Sequence, residues 1–247
     1  MPPMHYWSIT ELSDKLRRGA ISPVEVTQEM LDRIATLDGT YHAYIHVMRT
    51  QALERARQAE KELADGLWRG PLHGVPLAVK DLLYTKDAPT SAGMSIHKDF
   101  VPDHDATAVA RLYRAGAIIL GKLSLTEGAY TNNHPIFPTP VNPWSADHWA
   151  GTSSNGSGVA TATGMAFGAL STDTGGSIRF PAACNNLTAI KPTWGRVSRH
   201  GCLRAMRSTL PPSCAPLPAP TITTPRRCAP RSLTTWQRPS AASVACA

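Results

Sequence analysis

The chain has 247 residues, is 42% hydrophobic and 17% charged, and carries a formal charge of +7. That length and balance fit a soluble globular protein with one sizeable α/β core or two small domains. Six of the basic residues, all arginines, lie after residue 200 with no acidic residue beside them, so the first 200 residues are close to neutral. A nucleic-acid surface needs basic residues clustered on one face, and the main body offers none. No uninterrupted apolar run reaches the roughly 18–20 residues of a membrane span. Of five cysteines, Cys202, Cys214, Cys228 and Cys246 lie in the last stretch and only Cys184 in the main body. This argues against a disulfide framework and for a reducing compartment. Met1–Trp7 shows no basic segment leading into an apolar run, so no secretory signal is expected and the location expected is cytoplasmic.

Residues 8–18 have a helical period that Gly19 stops. Ser22-Pro-Val-Glu25 then reads as a capping box with proline at the first helical position. Val26, Met30, Ile34 and Leu37 continue one apolar face. A loose strand is expected over 41–47 and a polar-faced helix over 50–64, ending near Gly66. Val75, Leu77 and Val79 alternate as in a strand that ends at Lys80. A short amphipathic helix over 106–115 precedes an apolar run, Gly116–Gly121, expected to be a buried strand. Helix followed by apolar strand predicts α/β layers. Residues 131–150, rich in Pro, Asn and Trp, read as a loop. Two Gly/Ser segments follow, Gly151-Thr-Ser-Ser-Asn-Gly-Ser-Gly158 and Asp173-Thr-Gly-Gly-Ser-Ile-Arg-Phe-Pro181, separated by a short helix and a buried strand. Residues 188–192 and 196–198 suggest further short strands.

After about residue 203 eight prolines fall between Pro211 and Pro239, acids vanish and no period survives. Such a segment has little apolar surface to offset its conformational entropy. The expected division is therefore a folded part over 1–203 and an aberrant tail over 204–247, either a disordered basic tail or a stretch translated in a shifted frame.

Ser177 follows Thr174-Gly175-Gly176 and precedes a helix start. Glycines let backbone N–H groups converge on a small anion, so a serine there could attack a carbonyl while those groups hold the oxyanion. A histidine base is not evident. His42 and His46 are four apart but have no glutamate between them in a metal-ligand pattern, and no other His/Cys cluster has zinc spacing. Lys80, at the end of an apolar strand, could be the base if burial leaves its amine neutral; the alternative is a structural or surface lysine.

The two Gly/Ser segments, together with Gly74-Val-Pro-Leu-Ala-Val-Lys-Asp81 and Lys191-Pro-Thr-Trp-Gly-Arg-Val-Ser198, resemble the amidase signature family over about residues 8–202. The resemblance implies an α/β/α sandwich with a central mixed sheet flanked by helices, incomplete in its C-terminal half. It implies a Ser-cisSer-Lys triad in which Ser177 is the acylated nucleophile, Ser153 the bridging serine after a cis Thr152–Ser153 peptide, and Lys80 the base. Ser154 would support the network. Thr174, Gly175, Gly176 and the Ser177 amide would line the oxyanion hole, and Asp173 and Arg179 would brace the loops. The implied reaction is hydrolysis of a small amide through an acyl-enzyme, with no metal or organic cofactor, no nucleic acid and no membrane. A homodimer is open to full-length members. Two further readings stand beside it, a glutamine-hydrolysing subunit of a tRNA-dependent amidotransferase and an inactive truncated fragment. Thr152 and Asn155 replace the commoner glycines; asparagine tolerates left-handed backbone better than most residues.

Overall fold

The computed structural model describes residues 3–130 and 132–193, and the backbone of 204–207. In chain order the main elements are α1 (Ile9–Arg17), α2 (Pro23–Tyr41), β1 (Tyr44–Val47), α3 (Arg49–Ala64), β2 (Pro76–Lys80), α4 (Thr107–Arg114), β3 (Ile118–Leu123), α5 (Asn155–Ala162), β4 (Ala169–Leu170), α6 (Arg179–Cys184), β5 (Leu187–Ile190) and β6 (Arg204–Arg207).

The reciprocal capping box sits one helix earlier than expected. Ser8 Oγ accepts from the Glu11 N–H while the Glu11 carboxylate accepts from the Ser8 N–H, and this starts α1. At α2, Ser22 caps Val24 and Glu25 and Pro23 opens the helix, but the Ser22 hydroxyl donates to Glu60 on α3, and α2 has no reciprocal box. The predicted stripe is present: Val26, Met30 and Ile34 are buried and Leu37 packs against the same cluster.

A four-stranded mixed sheet has the order β1-β3-β2-β4. β2 runs parallel to both β3 and β4, and β1 is antiparallel to β3. Side chains from α1, α2, α3 and α5 form the larger apolar cluster with Leu77, Ile118 and Leu120. Val79 and Ile119 point into a smaller one with Met48, Leu83 and Val109. All five residues of β2 are therefore buried, where alternation alone predicts one covered face. A parallel strand with both faces covered reads this way.

β3 lies two residues later than expected. Gly116 takes a left-handed φ of 79° in the turn after α4, and the strand continues through Lys122. The backbone of β6, which lies after the expected boundary at 203, pairs antiparallel with β5. The strand expected over 196–198, and all of the tail expected over 204–247 after Arg207, lie outside the described residues. Among the described residues no helix is long and apolar enough to cross a membrane.

Candidate active site

Three chain segments meet at the C-terminal end of β2. Lys80 is the last residue of that strand and is fully buried. Its Nζ donates to Ser153 Oγ at 2.7 Å and to Thr172 Oγ1 at 3.0 Å. Burial disfavours the ammonium and lowers the Lys80 pKa to about 7, against an opposing pull from the Asp173 carboxylate. The amine is thus poised between its charged and neutral forms at neutral pH.

Ser153 arrives on a cis Thr152–Ser153 peptide. Its carbonyl accepts from the Thr126 N–H at 3.1 Å. Ser154 stands at the N-cap of α5, yet its hydroxyl does not cap the helix. It donates instead to the Thr172 carbonyl at 3.3 Å, while the Ser154 N–H donates to the Ser177 carbonyl at 3.2 Å. The first turn of α5 packs tightly against β3. A Cβ on Gly156 would lie 2.5 Å from the Ala43 carbonyl oxygen and 2.6 Å from the Ser124 nitrogen, so glycine is required for this approach. The two departures from the commoner glycines are accommodated. Thr152 Oγ1 lies 3.3 Å from the Tyr130 carbonyl and 3.2 Å from Thr126 Oγ1. Asn155 is helical and not left-handed, so the expected backbone tolerance is not used; its Nδ2 donates to Asn133 Oδ1 at 2.7 Å.

The second Gly/Ser segment is drawn into a tight loop by one carboxylate. Asp173 Oδ1 accepts from the Gly176 N–H at 2.8 Å and from Arg179 Nη2 at 2.9 Å. Asp173 Oδ2 accepts from the Ile178 N–H at 3.2 Å and from Arg179 Nε at 3.0 Å. Burial alone would raise the Asp173 pKa, but the Arg179 and backbone donors outweigh it and hold the carboxyl below its ordinary value. Gly176 has φ 132°, and a Cβ there would fall 2.4 Å from the Phe180 ring, so no other residue fits the turn.

In this arrangement the Gly176 N–H is directed at Asp173. The Thr174, Gly175 and Ser177 amides donate to no protein acceptor among the described residues. Ser177 itself is half-buried and immediately precedes Ile178, the N-cap of α6. Its hydroxyl makes no hydrogen bond among the described residues. Lys80, Ser153 and Thr172 are in direct contact, and the Ser177 backbone is tied to Ser154. The Ser177 hydroxyl is not joined to Ser153 in this arrangement.

Two features escape a reading of the sequence. Thr172 carries no local signal; it is 92 positions from the lysine it contacts. Lys122 forms a buried ion pair with Asp81 at 3.0 Å, and its Nζ also donates to Thr90 Oγ1, Leu83 O and Pro89 O. A lysine inside the run Ile118–Leu123 is the available clue. His42 closes α2 in left-handed conformation and His46 lies on β1. Among the described residues no group of three His, Cys, Asp or Glu could hold a metal ion. An apolar cavity of about 510 Å³ runs beside β4, lined by Ile9, Leu72, Leu77, Leu112, Leu170 and Ile190 among others; it contains none of the candidate catalytic residues.

Residues 25–214 match the Amidase family profile. The chain belongs to the amidase family. It is 56% identical over 193 residues to the putative amidase AmiD of Mycobacterium tuberculosis, covering 78% of this chain and 41% of that protein. It is 46% identical over 210 residues to a glutamyl-tRNA(Gln) amidotransferase component of Moorella thermoacetica, covering 84% of this chain and 43% of that one. The fold resembles the peptide amidase of Stenotrophomonas maltophilia with TM-score 0.75 and 36% identity, over 81% of this chain and 45% of that one. The chain thus spans less than half the length of these amidase-family proteins. The α/β fold with its mixed sheet between helices agrees with the architecture expected from the signature motifs.

Proposed function

We propose that this amidase-family chain carries the acyl-transfer site of a C–N hydrolase acting on small amides, with Ser177 as nucleophile, Ser153 as proton bridge and Lys80 as base. The observation that carries the reading is the buried Lys80 amine, 2.7 Å from Ser153 Oγ, with its pKa lowered to about 7. A neutral amine has two N–H groups and one lone pair. Thr172 Oγ1 accepts one N–H, which leaves the lone pair free to turn toward Ser153. Lys80 then takes the Ser153 proton as Ser153 takes the proton of Ser177, and Ser177 attacks the amide carbonyl.

The oxyanion is held by the Thr174, Gly175 and Ser177 amides, on a loop that Asp173 and Arg179 lock in place. The proton returns through Ser153 to the departing amine or ammonia, and water cleaves the acyl-enzyme by the same relay. This mechanism needs the Ser177 hydroxyl to engage Ser153, and among the described residues that hydroxyl has no competing hydrogen bond. Ser154 keeps the two serine segments in register through its bonds to Thr172 and Ser177.

Ammonia release from a panel of small primary amides, with glutamine included, tests the reading. The purified chain should release ammonia from at least one amide and the Ser177→Ala variant from none. Release confined to glutamine would instead support the role named for the Moorella thermoacetica relative.

A further inference from the structure

Lys80 and Asp81 are consecutive, so their side chains leave the end of β2 on opposite faces of the sheet. Both are buried. On the Lys80 face stand Ser153, Thr172 and the Asp173 carboxylate, the last bound to Arg179. On the other face Asp81 accepts from the Ser91 N–H and hydroxyl and meets Lys122 at 3.0 Å. Lys122 reaches this position because it lies opposite Val79 in the register of β3 against β2. The charged and titratable groups around that pair are His46 on β1 and Asp105 before α4.

A second unbalanced carboxylate this close to Lys80 would stabilise its ammonium. With neighbouring Cα atoms about 3.8 Å apart and side chains diverging, the charges would be roughly 10 Å from one another, enough at an effective dielectric near 20 to move the lysine by about one pH unit. We propose that Lys122 is a positioning residue for the reaction: by neutralising Asp81 across the sheet, it leaves Asp173 as the one carboxylate acting on the base. This rests on the reading of Lys80 as base. Lys122 touches none of the three proposed catalytic side chains and acts only through charge and through its hold on the end of β2. Its amine has four acceptors around it, Asp81, Thr90, Leu83 and Pro89; burial lowers its pKa, and the Asp81 carboxylate opposes that fall and favours the ammonium.

The test is the titration of the Lys80 ε-carbon by NMR in protein labelled with ¹³C-lysine, the signal being assigned by its loss in Lys80→Met. Wild type should show a midpoint near 7. Lys122→Gln exposes the Asp81 charge and should raise that midpoint by about one unit; Asp81→Asn leaves Lys122 unbalanced and should lower it. The double variant has neither charge and should return close to wild type. If Lys122→Gln does not fold, the Asp81→Asn shift and the double variant, which leaves no unpaired buried charge, carry the test. Midpoints that do not move, or that move in the same direction in both single variants, overturn the proposal while leaving Lys80 as base. A wild-type midpoint near the ordinary lysine value of 10.5 overturns the reading of Lys80 itself, and the proposal with it.

Discussion

Replacing Lys80 by Met should stabilise the fold at acidic and neutral pH while abolishing the chemistry. In the unfolded chain the lysine titrates at its ordinary 10.5, and in the folded chain at about 7. Below pH 7 the folded state must hold a buried ammonium that water solvates better. The penalty is the pKa difference at about 1.4 kcal/mol per unit, or roughly 5 kcal/mol. Between pH 7 and 10.5 the unfolded state binds the extra proton, so wild-type stability rises with pH across that window and is level on either side of it. Methionine has similar volume and no charge, so it removes this dependence. It also leaves Ser153 Oγ and Thr172 Oγ1 without their lysine partner, at about 1–2 kcal/mol each. The net expectation is a variant more stable than wild type by about 1–3 kcal/mol at pH 6. At pH 10 the difference should fall by about 4 kcal/mol and change sign. Urea unfolding followed by circular dichroism at the two pH values measures both numbers. A Met variant whose stability relative to wild type is the same at pH 6 and pH 10 would refute a depressed Lys80, whatever its effect on activity.

Other variants separate the parts of the site. Thr172→Val keeps the shape but removes the second acceptor on Lys80; it should lower kcat about tenfold or more with little change in KM, while Thr172→Ser retains most of the rate. Gly176→Ala forces a Cβ into the Phe180 ring at φ 132° and should cost about 1–3 kcal/mol in thermal unfolding along with the activity. Asp173→Asn removes the charge that pairs with Arg179 and should lower activity at all pH values, as measured by ammonia release. Because Asp173 opposes the fall in the Lys80 pKa, the acid limb of the residual activity should move to lower pH.

Much of the fold and site is legible in the chain because local patterns and local structure agree. Lys80 ends an apolar run, and an apolar run between helices is a buried strand, so a buried amine is expected there. Gly175 and Gly176 before Ser177 announce a loop in which the backbone turns sharply. What escapes the sequence depends on contacts made across long separations. Thr172 meets Lys80 only because β4 lies beside β2. Lys122 reads as a break in an apolar strand, and only the fold supplies the Asp81 carboxylate that permits it. Ser154 looks like a helix cap by residue type, but a carbonyl 18 positions away competes for its hydroxyl and wins. Nor does residue type show that the Asp173 side chain, three residues earlier, accepts the Gly176 amide. At Ser22 the hydroxyl half of the expected capping box forms, while the returning bond from the Ser22 N–H to the Glu25 carboxylate does not.

The central claim is that a lysine of depressed pKa activates Ser177 through Ser153. Its most direct measurement is the rate at which a fluorophosphonate modifies the chain as a function of pH, with the adduct mapped by peptide mass spectrometry. One adduct is expected, on Ser177, whose rate of formation rises with a midpoint near pH 7 and falls to background in Lys80→Met. An adduct on another residue, or a Ser177 adduct forming at a rate that neither pH nor Lys80→Met alters, would contradict it.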